Sequence, residues 1–226
     1  MKMRLSLLLV YSALAAASPF PQHRDPVKCP IIFDGRIPRS FDRTSFNYAN
    51  VSLYSAQYVK GENLTWSEII LLPKTTASRF DTPGVHRPLE VTINDKSLFR
   101  TGQGVQNGFR RAGLLLKNDK NDPGADAADK GVVTFHWSVK QDPSRPMNLS
   151  HEYMNVWHEK ADYSGNQFSF VGGVVLKVDG GTGVETPQEK GSWKIQDAKN
   201  NFLFRTPILK NGIWQNFAIQ LDYVNE

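Results

Sequence analysis

An all-β fold, a two-sheet sandwich or β-jelly roll, is what this 226-residue sequence predicts. Three observations point to it. Short alternating or β-branched runs recur along the chain, with Gly, Pro, Asn and Asp between them. The clearest run, Val132 to Lys140, places Val133, Phe135, Trp137 and Val139 on one face and Thr134, His136, Ser138 and Lys140 on the other. No stretch carries a sustained apolar stripe at helical spacing behind a capped start.

The chain opens MKMRLSLLLVYSALAAASPF. Lys2 and Arg4 precede an apolar run from Leu5 to Leu14, and Ala15 and Ala17 set an A-x-A cleavage site before Ser18. Residues 1–17 therefore read as a secretory signal peptide, too short to span a bilayer. The expected mature domain is 18–226, secreted and extracellular, with no membrane partner. Residues 18–30, rich in proline and charge, read as a loose arm.

The strand candidates follow in order. Ile31–Phe33 is short and closed by Asp34-Gly35. Leu53–Val59 alternates weakly, and Trp66–Leu72 is a better strand ended by Pro73, with Glu68 as a surface charge. Leu89–Ile93 runs to a turn at Asn94-Asp95, with Lys96–Arg100 returning beside it. Gly102-Gln103-Gly104 is a loop, without the strand-then-helix setting of a dinucleotide fingerprint. Phe109–Leu116 is a strand candidate carrying Arg110 and Arg111. Residues 117–131 form the longest surface loop, whose DKNDPG departs from a calcium-binding loop.

After Val132–Lys140 comes PMNLSHEYMNVWHE, Pro146 to Glu159, the densest polar stretch. As a regular strand it points Glu152, Met154, Val156 and His158 one way and His151, Tyr153, Asn155, Trp157 and Glu159 the other. Such a mixed strand either lines a groove or forms a solvated sheet rim. Gln167–Val171 and Val174–Val178 read as a pair around Gly172-Gly173, and 179–191 as a glycine-rich loop. Ser192–Gln196, Phe202–Arg205 and Ile213–Leu221 complete the strands, with Asn211-Gly212 as a hairpin turn before the last.

The residue inventory narrows the chemistry. The net charge of +5 includes Lys2 and Arg4, so the chain behind the leader carries only +3, with its bases scattered. That argues against a nucleic-acid partner. Cys29 is the only cysteine, which excludes an intrachain disulfide and a cysteine-based metal site. No two of the five histidines stand at i, i+4, and no G-x-S-x-G elbow is present, so no metal or cofactor is expected. Asn50, Asn63 and Asn148 begin glycosylation sequons. What remains is glutamate, aspartate, arginine, histidine and aromatic groups on strands. Those are the groups of a carbohydrate site, in which two carboxyls divide the acid and the nucleophile or base roles. A lectin-like module uses the same lining, and both readings stand at this point.

Several segments then carry a more specific resemblance: Pro30-IIFDGR-Ile37, Tyr58-VKG, Trp66-SEII, Leu89-EVTINDKSLF, Gly108-FRRAGLLL, Thr134-FHWSVKQD, Arg145-PMNLSHEY through Trp157-HE, Asp162-YSGNQF and Trp214-QNFAIQLD. Together they cover most of 18–226 in order. The chain resembles the fungal glycoside hydrolase family 131 catalytic domain, a secreted β-glucanase of β-jelly-roll fold. The resemblance implies cleavage of β-1,3, β-1,6 and β-1,4 glucans by two glutamates, acting without a cofactor, in a chain expected to be a monomer. One catalytic position corresponds to Glu152 in NLSHEY. The other follows GFRRA, where related sequences look like GFRRAE, and here it is Gly113. Glycine has no proton to donate and no nucleophile or base to offer. A catalytically impaired glucan-binding protein is therefore the alternative reading, with Glu159, Glu90, Asp95 and Asp162 as possible substitute carboxylates. Arg110, Arg111, His136, His151, Tyr153, His158 and Gln167 are the expected substrate-binding residues. Gln215 stands where the related pattern often looks like histidine. The pattern also leads one to expect further strands after Gln215–Glu226, so that the jelly roll lacks its last strands.

Overall fold

Strands dominate the structure, a computed structural model that describes residues 29–119, 127–160, 162–176 and 185–225. The leader, residues 120–126 of the long loop, and residues 177–184, which hold the end of the expected Val174–Val178 strand and the start of the expected 179–191 loop, lie outside the described residues. In chain order the strands are β1 (Ile37–Pro38), β2 (Ile70–Leu71), β3 (His86–Arg87), β4 (Glu90–Val91), β5 (Phe99–Thr101) and β6 (Gly104–Gln106). They continue with β7 (Val132–Val139), β8 (Glu152–Glu159), β9 (Asn166–Gly173), β10 (Ser192–Asp197), β11 (Phe202–Pro207) and β12 (Gln215–Asp222). Two single-turn helices, α1 (Trp66–Ile69) and α2 (Pro187–Lys190), interrupt them. Contacts gather Ile32–Glu226 into one compact unit. Among the described residues no helix is long and apolar enough to cross a membrane.

Two layers form a sandwich. One is a four-stranded antiparallel sheet in the order β11-β10-β9-β8, and the other is the antiparallel pair β12-β7. Aromatic rings fill the space between them. Phe170 of β9 stacks on Trp193 of β10 at 4.9 Å and meets Phe217 of β12 at 4.6 Å and Trp137 of β7 at 5.2 Å. Each such side chain contributes roughly 1.5–3 kcal/mol by leaving water. The alternation predicted for Val132–Lys140 is observed: Val133, Phe135 and Trp137 lie opposite Leu221, Ile219 and Phe217 in register. Gln215 ties the layers, accepting from Trp193 Nε1 at 2.9 Å and Leu209 N at 3.0 Å and donating to Pro207 O at 2.9 Å. A second core gathers Ile37, Phe46, Leu64, Trp66, Ile69 and Ile70 around the small ladders β1-β3 and β2-β4.

The structure corrects several strand assignments. Ile31–Phe33 and Leu53–Val59 hold no strand beyond a single bridge between Tyr54 and Leu116. Phe109–Leu116 is extended rather than sheet, held by Arg111 N donating to Ser97 O and Gly113 N to Val59 O. Trp66–Leu72 is a helical turn followed by a two-residue strand. Thr65-x-x-Glu68 is a capping box, with Thr65 N and Oγ1 both donating to Glu68 Oε2 at 2.6 and 2.8 Å. Lys96–Arg100 does not return along β4; its end forms β5, which pairs with β6 across Gly102-Gln103. Gly172-Gly173 is no hairpin turn, because both residues belong to β9. Asn211-Gly212 does not join a hairpin either, since β11 and β12 lie in different sheets.

Register on β8 decides the faces. Met154 lies opposite Val171, but Val156 lies opposite Phe170, so Asn155 is an extra residue in a bulge. A one-residue slip exchanges the two sides of a strand. Glu152, Met154 and Trp157 therefore share the face of Gly173, Val171 and Ser169. Tyr153, Val156 and His158 face the other way, with Phe168 and Phe170 into the sandwich. This overturns the regular alternation predicted for the stretch.

Gly173 closes β9 with φ +79, and a Cβ there would lie 2.0 Å from His151 O. Gly173→Ala is expected to lower stability in urea unfolding by at least about 2 kcal/mol, combining left-handed strain with overpacking.

Candidate active site

The face of the four-stranded sheet turned away from β7 and β12 carries the candidate chemistry. Register aligns Glu152, Met154 and Trp157 of β8 with Gly173, Val171 and Ser169 of β9, and Val171 and Ser169 in turn with Lys194 and Gln196 of β10. The bulge is what brings Glu152 and Trp157 to the same side. Their partners on β9 are four residues apart, so they stand about 13 Å apart along the strand.

Glu152 is half-buried. Leu176 N donates to its Oε1 at 3.3 Å. Burial raises its carboxyl above the usual glutamate range, the Leu176 amide pulls against that rise, and Glu185 adds to it. A carboxyl that holds its proton longer than its neighbours has the property a general acid needs. The segment beyond β9 also holds a second carboxylate that sequence reasoning missed. Val175 N donates to Glu185 Oε2 at 2.8 Å, and Glu185 Oε1 lies 3.4 Å from Lys194 Nζ. Lys194 has no exposed surface and donates to Gly173 O at 2.6 Å. No spacing rule could have found Glu185, which lies far from Glu152 in sequence and at the edge of a glycine-rich run.

Farther along the same face, Arg111 is wrapped in rings. Its guanidinium lies 4.8 Å from the Phe99 ring centre, 5.3 Å from that of Trp157 and 5.8 Å from that of Tyr58. Arg111 Nη2 donates to Tyr58 OH at 2.9 Å and stands 3.8 Å from Glu159. Gly113 is buried beside this group, and a Cβ on it would meet Tyr58 Cε1 at 3.1 Å and Trp157 Cη2 at 3.3 Å. The expected second carboxylate position is thus closed in by two aromatic rings.

The other sequence-predicted residues scatter. Arg110 is exposed and bonded to Asn107 O, Phe109 O and Asp95. His136 lies on the outer face of β7 with its ring 5.5 Å from Phe80. His158 points into the sandwich, 5.0 Å from the Phe135 ring and 3.6 Å from Asp129. Tyr153 faces away from Glu152 and accepts from Asn148 N at 3.0 Å, while exposed His151 tilts over the Tyr153 ring at 6.5 Å. Gln167 is the β9 residue that the register steps over opposite His158 and Glu159. Of the substitute carboxylates, Glu90 pairs with Arg145 at 2.7 Å, exposed Asp95 pairs with Arg110 at 3.3 Å, and Asp162 binds the turn amide of Ser164. Glu159 lies on the Arg111 side, but about 20 Å along the strand from Glu152. That is beyond the roughly 5–9.5 Å that separates paired glycosidase carboxyls. Asn50, Asn63 and Asn148 are all exposed. Among the described residues no three His, Cys, Asp or Glu side chains cluster as metal ligands.

One face of the strand sandwich thus carries a half-buried acid, a tryptophan and a ring-wrapped arginine. Residues 31–226 match the glycoside hydrolase 131 catalytic N-terminal domain, and the chain belongs to that family. Its reaction class is glycoside hydrolysis and its substrate a carbohydrate. No curated protein matches the chain.

The raised Glu152 carboxyl has a stability consequence. Folding favours its neutral form, so its contribution is fully present below the unfolded value, near pH 4, and is lost as pH rises through the folded one. Glu152→Gln stays neutral throughout. Thermal melts are expected to match wild type below about pH 4 and to exceed it at neutral pH.

Proposed function

We propose that this chain is a secreted β-glucanase, acting as a monomer on β-1,3, β-1,6 and β-1,4 glucans, with Glu152 as the acid. The observation that carries the reading is the Glu152 carboxyl: half-buried, raised by that burial, and anchored through one oxygen to Leu176 N. Family membership supplies the reaction class. Glu152 gives its proton to the glycosidic oxygen as the anomeric C–O bond breaks, water adds its oxygen to the anomeric carbon, and the proton that water sheds returns through solvent to the Glu152 carboxylate. Trp157 offers a flat ring for a sugar, and Arg111 lies against that ring as a hydroxyl donor. The apolar run at 5–14 and the exposed sequon asparagines support export and glycosylation.

A second reading is favoured by one feature. Gly113 supplies no carboxylate, and the Tyr58 and Trp157 rings occupy the adjacent space. On that reading the protein holds glucan and turns it over little or not at all.

Laminarin, pustulan and cello-oligosaccharides separate the two. Reducing ends are expected above the level of a Glu152→Gln control, with that substitution lowering kcat on the order of 10²–10⁴-fold. Saturable heat of binding with no reducing ends supports the second reading instead, and neither signal removes both. Because the acid must be protonated, activity is expected to fall as pH rises through the elevated Glu152 value.

Gly113→Glu restores the carboxylate of the family pattern. The rings need to yield only a few tenths of an ångström for its Cβ. The variant is expected to raise kcat on the order of 10²-fold. Unchanged kcat in a folded variant means that this position does not limit turnover.

A further inference from the structure

The pair formed by Glu185 and Lys194 has no place in the family's two-glutamate scheme, yet it is the most deeply buried charge on the candidate face. Lys194 is fully buried, and the Glu185 side chain is 12% exposed. Removing an ammonium and a carboxylate from water costs several kcal/mol per ion unless each is matched. Here each is matched through the same short backbone segment. Lys194 Nζ donates to Gly173 O at 2.6 Å, Glu185 Oε2 accepts from Val175 N at 2.8 Å, and Lys194 and Glu185 stand 3.4 Å apart. The next amide, Leu176 N, holds Glu152 Oε1 at 3.3 Å. Residues 173–176 are thus clamped at one end by the ion pair and carry Glu152 at the other.

We propose that the Glu185–Lys194 pair is the positioning element of Glu152: it fixes the 173–176 backbone that orients the acid and sets one acidic and one basic side chain beside it. The inference rests on the reading of Glu152 as the acid. Glu185 itself does not act on substrate, because one of its oxygens is bound to Val175 N and the other faces Lys194.

The charges around Glu152 are few. From the segment before α2 comes Glu185, which pushes the Glu152 carboxyl up, and from β10 comes Lys194, which pulls it down. β9 contributes Gly173, Val171 and Ser169 on this face and no titratable group. On β8 itself, the flanking His151 and Tyr153 rings contact each other, with Tyr153 on the opposite face. Arg205 and Glu189 pair with one another at 2.7 Å and act on Lys194 rather than on Glu152. The two nearest charges therefore have opposite effects, and removing each should move Glu152 in an opposite direction.

The test reads Glu152 directly, by a carbon-13 carboxyl titration assigned with Glu152→Gln. In Glu185→Gln the Glu152 midpoint is expected to fall. In Lys194→Met it is expected to rise. Glu185→Asp, which keeps the charge, is expected to return the midpoint toward wild type. A midpoint that stays at the wild-type value in Glu185→Gln or Lys194→Met, whichever of the two folds, overturns the proposal, even where activity is lost. The titration needs no turnover, so it can fail while glucan cleavage holds, or hold while cleavage fails. On a cleaved glucan, Glu185→Gln is expected to lower kcat on the order of tenfold with KM little changed, and to move the alkaline limb of the pH profile to lower pH. An unchanged alkaline limb counts against the proposal.

Discussion

One extra residue in β8 governs the rest of the candidate site. Without the bulge at Asn155, the face that carries Glu152 would carry Val156 and His158, and Trp157 would turn into the sandwich. The aromatic core needs Val156 and His158 inward, against Phe168 and Phe170. The proposed site needs Glu152 and Trp157 together on the other side. A strict two-residue period cannot satisfy both. The bulge resolves the conflict by breaking the period once, between the part of the strand that holds the acid and the part that seals the core. Bulges of this kind are a recurrent way of re-aiming side chains beside active sites.

That same bulge marks where the sequence was readable. Val132–Lys140 stands out by its alternation and its bounds hold to within a residue, whereas in the stretch Pro146–Glu159 the strand begins only at Glu152. Faces were read correctly on β7, where the period is unbroken, and incorrectly on β8, where the break depends on how Phe168 and Phe170 pack from a distant segment. The first hundred residues were harder. Their strands are two or three residues long, set by a second core around Trp66 and Ile69 rather than by alternation. Thr65-x-x-Glu68 was a local helix signal hidden by the apolar run behind it. Gly172-Gly173 looked like a turn because glycine pairs usually mark one. Here the first makes room for the Trp193 ring, 2.8 Å from where its Cβ would be, and the second takes the positive φ that ends the strand.

Glu152 and the unusual Gly113 each stand in a local motif that the sequence alone displays. Glu185 and Lys194 do not, since each is unremarkable in its own neighbourhood and gains meaning only when β9 and β10 bring the two together. The Arg111 cluster falls between these cases. Its arginine belongs to a motif, but the Phe99, Trp157 and Tyr58 rings around it come from three separate stretches. Gly113 beside it is best understood through the Tyr58 and Trp157 rings: their edges stand 3.1 and 3.3 Å from where a Cβ would lie, so the position is closely bordered rather than left hollow.

The edge of the four-stranded sheet has a consequence for how the protein behaves in concentrated solution. β11 pairs with β10 alone among the described strands, and it exposes Phe202, Leu203 and Phe204 in succession. An unpaired, apolar strand is a template for another chain, and each copy carries the same one. Two features blunt it. Arg205 lays its guanidinium 3.9 Å over the Phe202 ring, and Pro207 ends the strand without a backbone donor. The one charge that guards this edge is thus an arginine tied to Glu189, at the capped start of α2.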